Sequence, residues 1–188
     1  MKTYDMLLNA ALKLLEEKGE AQFTTRNVCA IANITAPSLY HHFGSVDGLL
    51  SAAIEQAFSQ FLASKQAAVQ SDDPATALRE GWDDYVRFAA ARPRLYAAMM
   101  SRVLDGAEIP AASQAYSLLL SRISAMQNRL APSVDDVASI IWASANAASL
   151  LYVTAQLRNT GAPSTEVIAQ IRENAFRTIL NSEAGAQP

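Results

Sequence analysis

Residues 24–50 run Thr-Thr-Arg-Asn-Val-Cys-Ala-Ile-Ala-Asn-Ile-Thr-Ala-Pro-Ser-Leu-Tyr-His-His-Phe-Gly-Ser-Val-Asp-Gly-Leu-Leu. Thr24 precedes Val28, Ile31 and Ala32, which recur at helical spacing, so its hydroxyl is placed to cap the free amides of a first short helix. Asn33 ends that helix, because Asn tolerates the left-handed conformation of a tight turn better than most residues with a side chain. Ile34 is expected to point inward. Thr35 is the next N-cap, and Pro37 falls in the first turn of a second helix from about Ala36, where its missing N–H costs nothing. Ser45 then caps a long helix from about Val46, carried on by Leu49, Leu50, Ala53, Ile54, Ala57, Phe58 and Phe61. A short helix, a three-residue turn and a second short helix form the spacing of a helix-turn-helix.

In the second helix Leu39 and Phe43 lie four apart on one face and can pack, with Ile34, against the first. The other face carries Thr35, Ser38, Tyr40 and His41. Small and hydroxyl side chains at a helix N-terminus allow backbone amides and the positive dipole end to approach phosphates and base edges in a major groove.

These residues resemble the tetracycline-repressor (TetR) family of bacterial transcriptional regulators. The likeness rests on Leu7-Leu8-Asn9-Ala10-Ala11-Leu12-Lys13-Leu14-Leu15-Glu16-Glu17-Lys18-Gly19, on Phe23-Thr24-Thr25, and above all on Ser38-Leu39-Tyr40-His41-His42-Phe43. It covers the first quarter of the chain in detail. The resemblance implies an all-α protein with an N-terminal three-helix helix-turn-helix DNA-binding domain, residues 1–46. A long helix joins it to a C-terminal helical ligand-binding and dimerisation bundle, residues 47–188. It also implies DNA contact by Thr24, Thr25, Arg26, Thr35, Ala36, Pro37, Ser38, Tyr40 and His41. Two departures stand out. The family's usual lysine at the start of the fourth helix is Val46 here, and its usual turn glycine is Asn33. Residues 1–48 hold Lys2, Lys13, Lys18 and Arg26 against Asp5, Glu16, Glu17, Glu20 and Asp47, four cations to five carboxylates. Non-specific affinity for DNA comes from cations that displace counterions, so a shallow salt dependence is expected.

Beyond residue 70 the breaks at Asp72-Asp73-Pro74, Arg92-Pro93, Asp105-Gly106 with Pro110, Pro132-Ser133 and Gly161-Ala162-Pro163 delimit further helices. The expected spans are about 74–91, a short one holding Tyr96 and Met99, 111–130, 134–159 and 165–181, followed by a loose tail, Glu183–Pro188. At 51% hydrophobic, 188 residues can bury a sizeable core. The 134–159 segment is apolar on nearly every side and could be read as a membrane span. Ser139, Ser144, Asn146, Ser149 and Thr154 interrupt it and no cationic cluster flanks it, so a helix buried on two faces is the better reading. With the Ile168, Ile171, Ala175 and Ile179 stripe after it, it resembles the helix pair through which the family forms homodimers, as a two-fold operator requires.

Trp82, Tyr85 and Phe88 follow at spacing three, and Tyr96, Met99, Met100 and Tyr116 add aromatic and soft apolar surface. Together with Trp142 and Asn146 they are the candidate pocket for a small, mainly apolar or aromatic effector. Each of these also suits plain core packing. The stretch from Tyr85 to Met100 resembles a C-terminal domain type named for a Trp-His-Gly pattern; Trp142 matches its tryptophan, whereas Asn146-Ala147 stand where the other two would be.

Catalysis is not expected. Adjacent His41 and His42 diverge by about 100° on a helix and cannot chelate one metal, and no nucleophile elbow, phosphate loop or dinucleotide fingerprint is present. No cofactor or metal is implied. The absence of a signal-peptide pattern points to the cytoplasm, and Cys29, the single cysteine, reads as a small packed residue. The expected partners are a double-stranded DNA operator, a small-molecule effector and a second copy of the chain, with no membrane. A repressor released from a near-palindromic operator is the leading reading. The alternative is a regulator with weakened DNA binding that acts through protein contacts, suggested by Val46 and the acidic front segment.

Overall fold

The computed structural model describes residues 2–67, 71–126 and 132–180. Among them are nine α-helices: α1 (Thr3–Lys18), α2 (Thr25–Ala32), α3 (Ala36–Phe43), α4 (Val46–Ala67), α5 (Pro74–Ala91), α6 (Pro93–Leu104), α7 (Pro110–Ser124), α8 (Val134–Leu157) and α9 (Thr165–Ile179). A short 3-10 turn at Glu20–Gln22 follows α1.

The local signals act as read. The Thr24 hydroxyl accepts the Asn27 N–H at 3.2 Å, and Asn33 is left-handed at φ 55°, ψ 43°. The Ser45 hydroxyl accepts the Gly48 N–H at 2.9 Å at the start of α4. Thr35 occupies the N-cap position of α3 without a side-chain cap bond; its hydroxyl pairs instead with the Ser38 hydroxyl at 3.3 Å. Asp73 opens α5 by accepting the N–H and hydroxyl of Thr76 at 2.9 and 2.8 Å. Ser133 opens α8, accepting the Asp136 N–H at 3.2 Å while its own hydroxyl donates to the Asp136 carboxylate at 2.7 Å. Helix α7 ends at Ser124, short of the expected 130; residues 127–130 and the expected tail lie outside the described residues.

The chain divides into two compact units. The first comprises residues 1–66 and 92–113. In it α1 lies against α2, α3 and α6, and the core is built from Leu7, Leu15, Val28, Leu39, Leu49, Ile54 and Leu95, all buried. Its surface ties include an ion pair between Arg92 and Glu16.

The second comprises residues 67–91 and 114–188. There α8 packs on α5 and on α9, around Leu78, Trp82, Val86, Ile123, Val137, Ile141, Ala145, Phe176 and Ile179. Arg172 grips both carboxylate oxygens of Asp83 at 2.7 Å, and the Arg79 guanidinium lies 4.4 Å from the centre of the Phe176 ring. These contacts join α5 to α9.

Helix α8 is long and apolar enough to cross a membrane. One side, with Val137, Ala138, Ile141, Ala145, Ala148, Ser149 and Val153, is buried in the second unit. The other carries Trp142, Leu150, Leu151 and Leu157, between 41% and 58% exposed.

Candidate nucleic-acid interface

Helix α3 offers solvent the face that the sequence assigned to it. Leu39 is fully buried while Tyr40, half exposed, projects outward; Thr35, Pro37 and His41 are exposed, and Ala36 and Ser38 are half-buried. The turn at Asn33 sets α3 against α2, so residues from both helices meet on this surface. The Thr25 hydroxyl on α2 and the Tyr40 hydroxyl share a hydrogen bond at 3.2 Å. That bond restricts the ring to one direction, and a phenol held in place loses less side-chain entropy on meeting a phosphate. Arg26 is exposed on α2 beside Thr25, and Thr24 at the helix start is exposed as well.

Behind this face, Tyr4 of α1 stacks on Phe43 with centroids 4.7 Å apart and planes inclined by 23°, and meets His42 edge-on at 6.2 Å. The end of α3 is thereby anchored to α1, while His41, edge-on to His42 with centroids 5.2 Å apart, is exposed. Gly44 closes α3 at φ 72°, a conformation that side chains disfavour. Gly48 is required for a different reason: a methyl group on it would lie 2.2 Å from the carbonyl oxygen of Phe43. The first turn of α4 therefore sits directly against the end of α3.

Residues 7–53 match the model of the bacterial regulatory proteins of the tetR family. The matched span contains the helix-turn-helix and the first turns of α4. That span, about a quarter of the chain, is similar to the family's front segment. Among solved structures, this chain is similar to a TetR-family transcriptional regulator from Pectobacterium atrosepticum, at 26% identity and TM-score 0.72, covering 96% of this chain and 95% of that one. It is also similar to a TetR-family regulator described as putative from Shewanella sp. PV-4, at 20% identity and TM-score 0.70, over 97% and 100% of the two chains. A third likeness is to the multidrug binding protein EbrR complexed with imidazole, at 18% identity and TM-score 0.62, over 98% of both chains. None of the curated proteins matches it.

The residues expected to line an effector pocket fall in both compact units. In the second unit, Trp82 is buried and its indole N–H donates to the Ser144 hydroxyl at 2.9 Å. The Tyr85 hydroxyl donates to the Asn146 side-chain oxygen at 3.1 Å, and the Asn146 amide donates to the Trp142 carbonyl at 2.7 Å. Trp82 and Tyr85 of α5 are thus joined to Trp142, Ser144 and Asn146 of α8 by one polar seam. Phe88 is half-buried on α5, and Tyr116 is 40% exposed on α7. Tyr96 and Met99 are buried, and Met100 half-buried, on α6 in the first unit.

Sequence reading missed three features. Ser144 satisfies the Trp82 indole, Gln156 donates to the Ala90 carbonyl at 2.7 Å, and Ser149 is buried with no partner for its hydroxyl among the described residues. Their only trace in the sequence is that polar residues interrupt an otherwise apolar helix. Burial raises the pKa of the Cys29 thiol, which disfavours the reactive thiolate. No group of three or more metal-ligating side chains occurs among the described residues.

Proposed function

We propose that this chain is a cytoplasmic, ligand-responsive transcriptional regulator without enzymatic activity, a repressor that binds a near-palindromic operator as a homodimer and is released by a small, mainly apolar or aromatic effector. Residues 1–46 form the DNA-binding domain in this reading, and residues 47–188 the effector and dimerisation domain. The observation that carries it is the outward face of α3, where Tyr40 is held by Thr25 beside Thr35, Ser38 and His41, with Thr24, Arg26, Ala36 and Pro37 completing the surface that meets the groove. A helix so oriented presents its N-terminal turn to base edges while flanking hydroxyls meet phosphates.

Dimerisation is supported by the exposed side of α8, where Trp142, Leu150, Leu151 and Leu157 flank the small Ala143 and Ala147. Small residues let a partner helix approach and the leucines supply area to bury. Effector binding is supported by the apolar surroundings of the Trp82–Tyr85–Trp142–Asn146 seam in the second unit, to which Phe88 and Tyr116 add lining in this reading. It is supported also by the small-molecule complex of EbrR, a protein of similar fold. A second reading, a regulator that has weakened DNA binding and acts through protein contacts, is favoured by Val46, an uncharged residue at the start of α4, and by the four cations against five carboxylates of residues 1–48.

The test is selection of fragmented genomic DNA on the purified ligand-free chain at moderate salt, with Tyr40→Ala as control. The expected outcome is enrichment of a near-palindrome by the wild type and a loss of retention of about tenfold or more in the variant, with the oligomeric state unchanged. Equal retention by Tyr40→Ala would remove Tyr40 from the interface, and no enrichment by the wild type would favour the protein-contact reading.

A further inference from the structure

Asp47 sits in the first turn of α4, which the Phe43 carbonyl packs closely against the end of α3. Its carboxylate is largely exposed there. An uncompensated negative charge beside a reading helix repels the phosphates that flank the groove, and the front segment has no surplus of cations to offset it. The structure supplies a cation from far along the chain. Arg102, near the end of α6, reaches the Asp47 carboxylate with one terminal nitrogen at 2.9 Å. Its side chain is only 18% exposed, and its Nε is buried without a hydrogen-bond partner among the described residues. A guanidinium normally uses its donors as a fork. Here the fold leaves a buried donor unsatisfied to bring the charge to this carboxylate.

The position of Arg102 is itself constrained. Eight residues along α4 from Asp47, both carboxylate oxygens of Glu55 accept the backbone N–H of Ala111 in the first turn of α7, at 3.0 and 3.1 Å. The connection from α6 to α7 is therefore held to α4 by two acidic side chains about 12 Å apart along the helix axis.

Building on the DNA-binding reading, we propose that Arg102 is a positioning residue for DNA binding that acts through Asp47, neutralising the carboxylate at the DNA-proximal end of α4 so that phosphate can approach. Arg102 and Asp47 together contribute no net charge there. Removing either one changes the local charge by one unit, in opposite directions.

The experiment measures binding of the full chain to a mixed-sequence DNA duplex over a range of salt, for the wild type, Arg102→Gln, Asp47→Asn, the double variant and Arg102→Lys, with thermal unfolding followed in parallel. Arg102→Gln is expected to weaken binding about tenfold near 50 mM salt and to flatten the log–log salt slope by about one. Asp47→Asn should strengthen binding and steepen the slope by a similar amount. The double variant should return close to the wild type, and Arg102→Lys, which keeps the charge and loses the fork, should bind within about threefold of it. Weakening by both single variants, with no further loss in the double variant, would mean that the pair is only a structural tether, and would overturn the inference while leaving the DNA-binding reading intact. Unchanged binding in Arg102→Gln would overturn it equally. A wild-type chain that retains no duplex even at low salt would overturn the DNA-binding reading and this inference with it.

Discussion

Gly48 carries no motif signal, yet the geometry at the end of α3 depends on it. A Cβ at that position would approach the Phe43 carbonyl oxygen to 2.2 Å, and a backbone oxygen cannot move aside as a flexible side chain would. Gly48→Ala, which normally favours a helix by up to about 1 kcal/mol, is therefore expected to destabilise the first unit by more than about 2 kcal/mol through overpacking. Circular dichroism melting, with DNA retention measured beside it, checks this; a variant as stable as the wild type would mean that α3 and α4 can separate without cost. The contrast with Thr24, Asn33 and Ser45 is instructive. Those three act on backbone groups within a few residues of themselves, so their roles were legible in the sequence. Gly48 answers to the path of the chain through a turn, and Arg102 to a carboxylate 55 residues away, so neither could be read from local pattern.

Among elements, the α5–α9 junction offers a pH test. Partial burial pushes the Glu173 carboxyl up, but the hydrogen bond from Arg172 and the charge and hydrogen bond of Arg79 outweigh it and hold it below the ordinary carboxylate range. The folded pKa is thus lower than the unfolded value of about 4.3, so its stabilisation is present above that value and lost as pH falls through the folded pKa. Glu173→Gln should cost only a few tenths of a kcal/mol at pH 7, because the side chain is 42% exposed and solvent screens the pair. The cost should vanish once the pH lies below the folded pKa; a difference in thermal midpoint that persisted in acid after the carboxyl is protonated would assign it to packing. The same junction raises the Arg172 pKa, chiefly through its hydrogen bond to Asp83, and keeps that cation charged at every pH of interest. At this scale the sequence was legible in its helix starts, since prolines and capping side chains mark them, and less so in its helix ends, as the early stop of α7 at Ser124 shows.

For the whole molecule, the consequential feature is the exposed apolar side of α8. In a proposed homodimer this face is buried between copies, and Leu150, 58% exposed, lies near its middle. Leu150→Glu should place a charge in the interface and shift the chain to a monomer in sedimentation equilibrium at micromolar concentration, with loss of selectivity for palindromic over half-site DNA. A wild type that sediments as a monomer would overturn the dimer, and a variant that remains dimeric would move the interface elsewhere.

By itself the sequence determined the order of the helices and the identity of the helix-turn-helix, because caps, prolines and 3.6-residue periodicity act within a turn or two of the chain and need no partner to take effect. Tertiary structure alone decided that α6 belongs with the reading helices in one compact unit. It alone brought Arg102 to Asp47, and it joined Trp82 and Tyr85 to Ser144 and Asn146. Those pairings depend on which surfaces bury one another, a free-energy balance over residues distant in the chain that no local window contains.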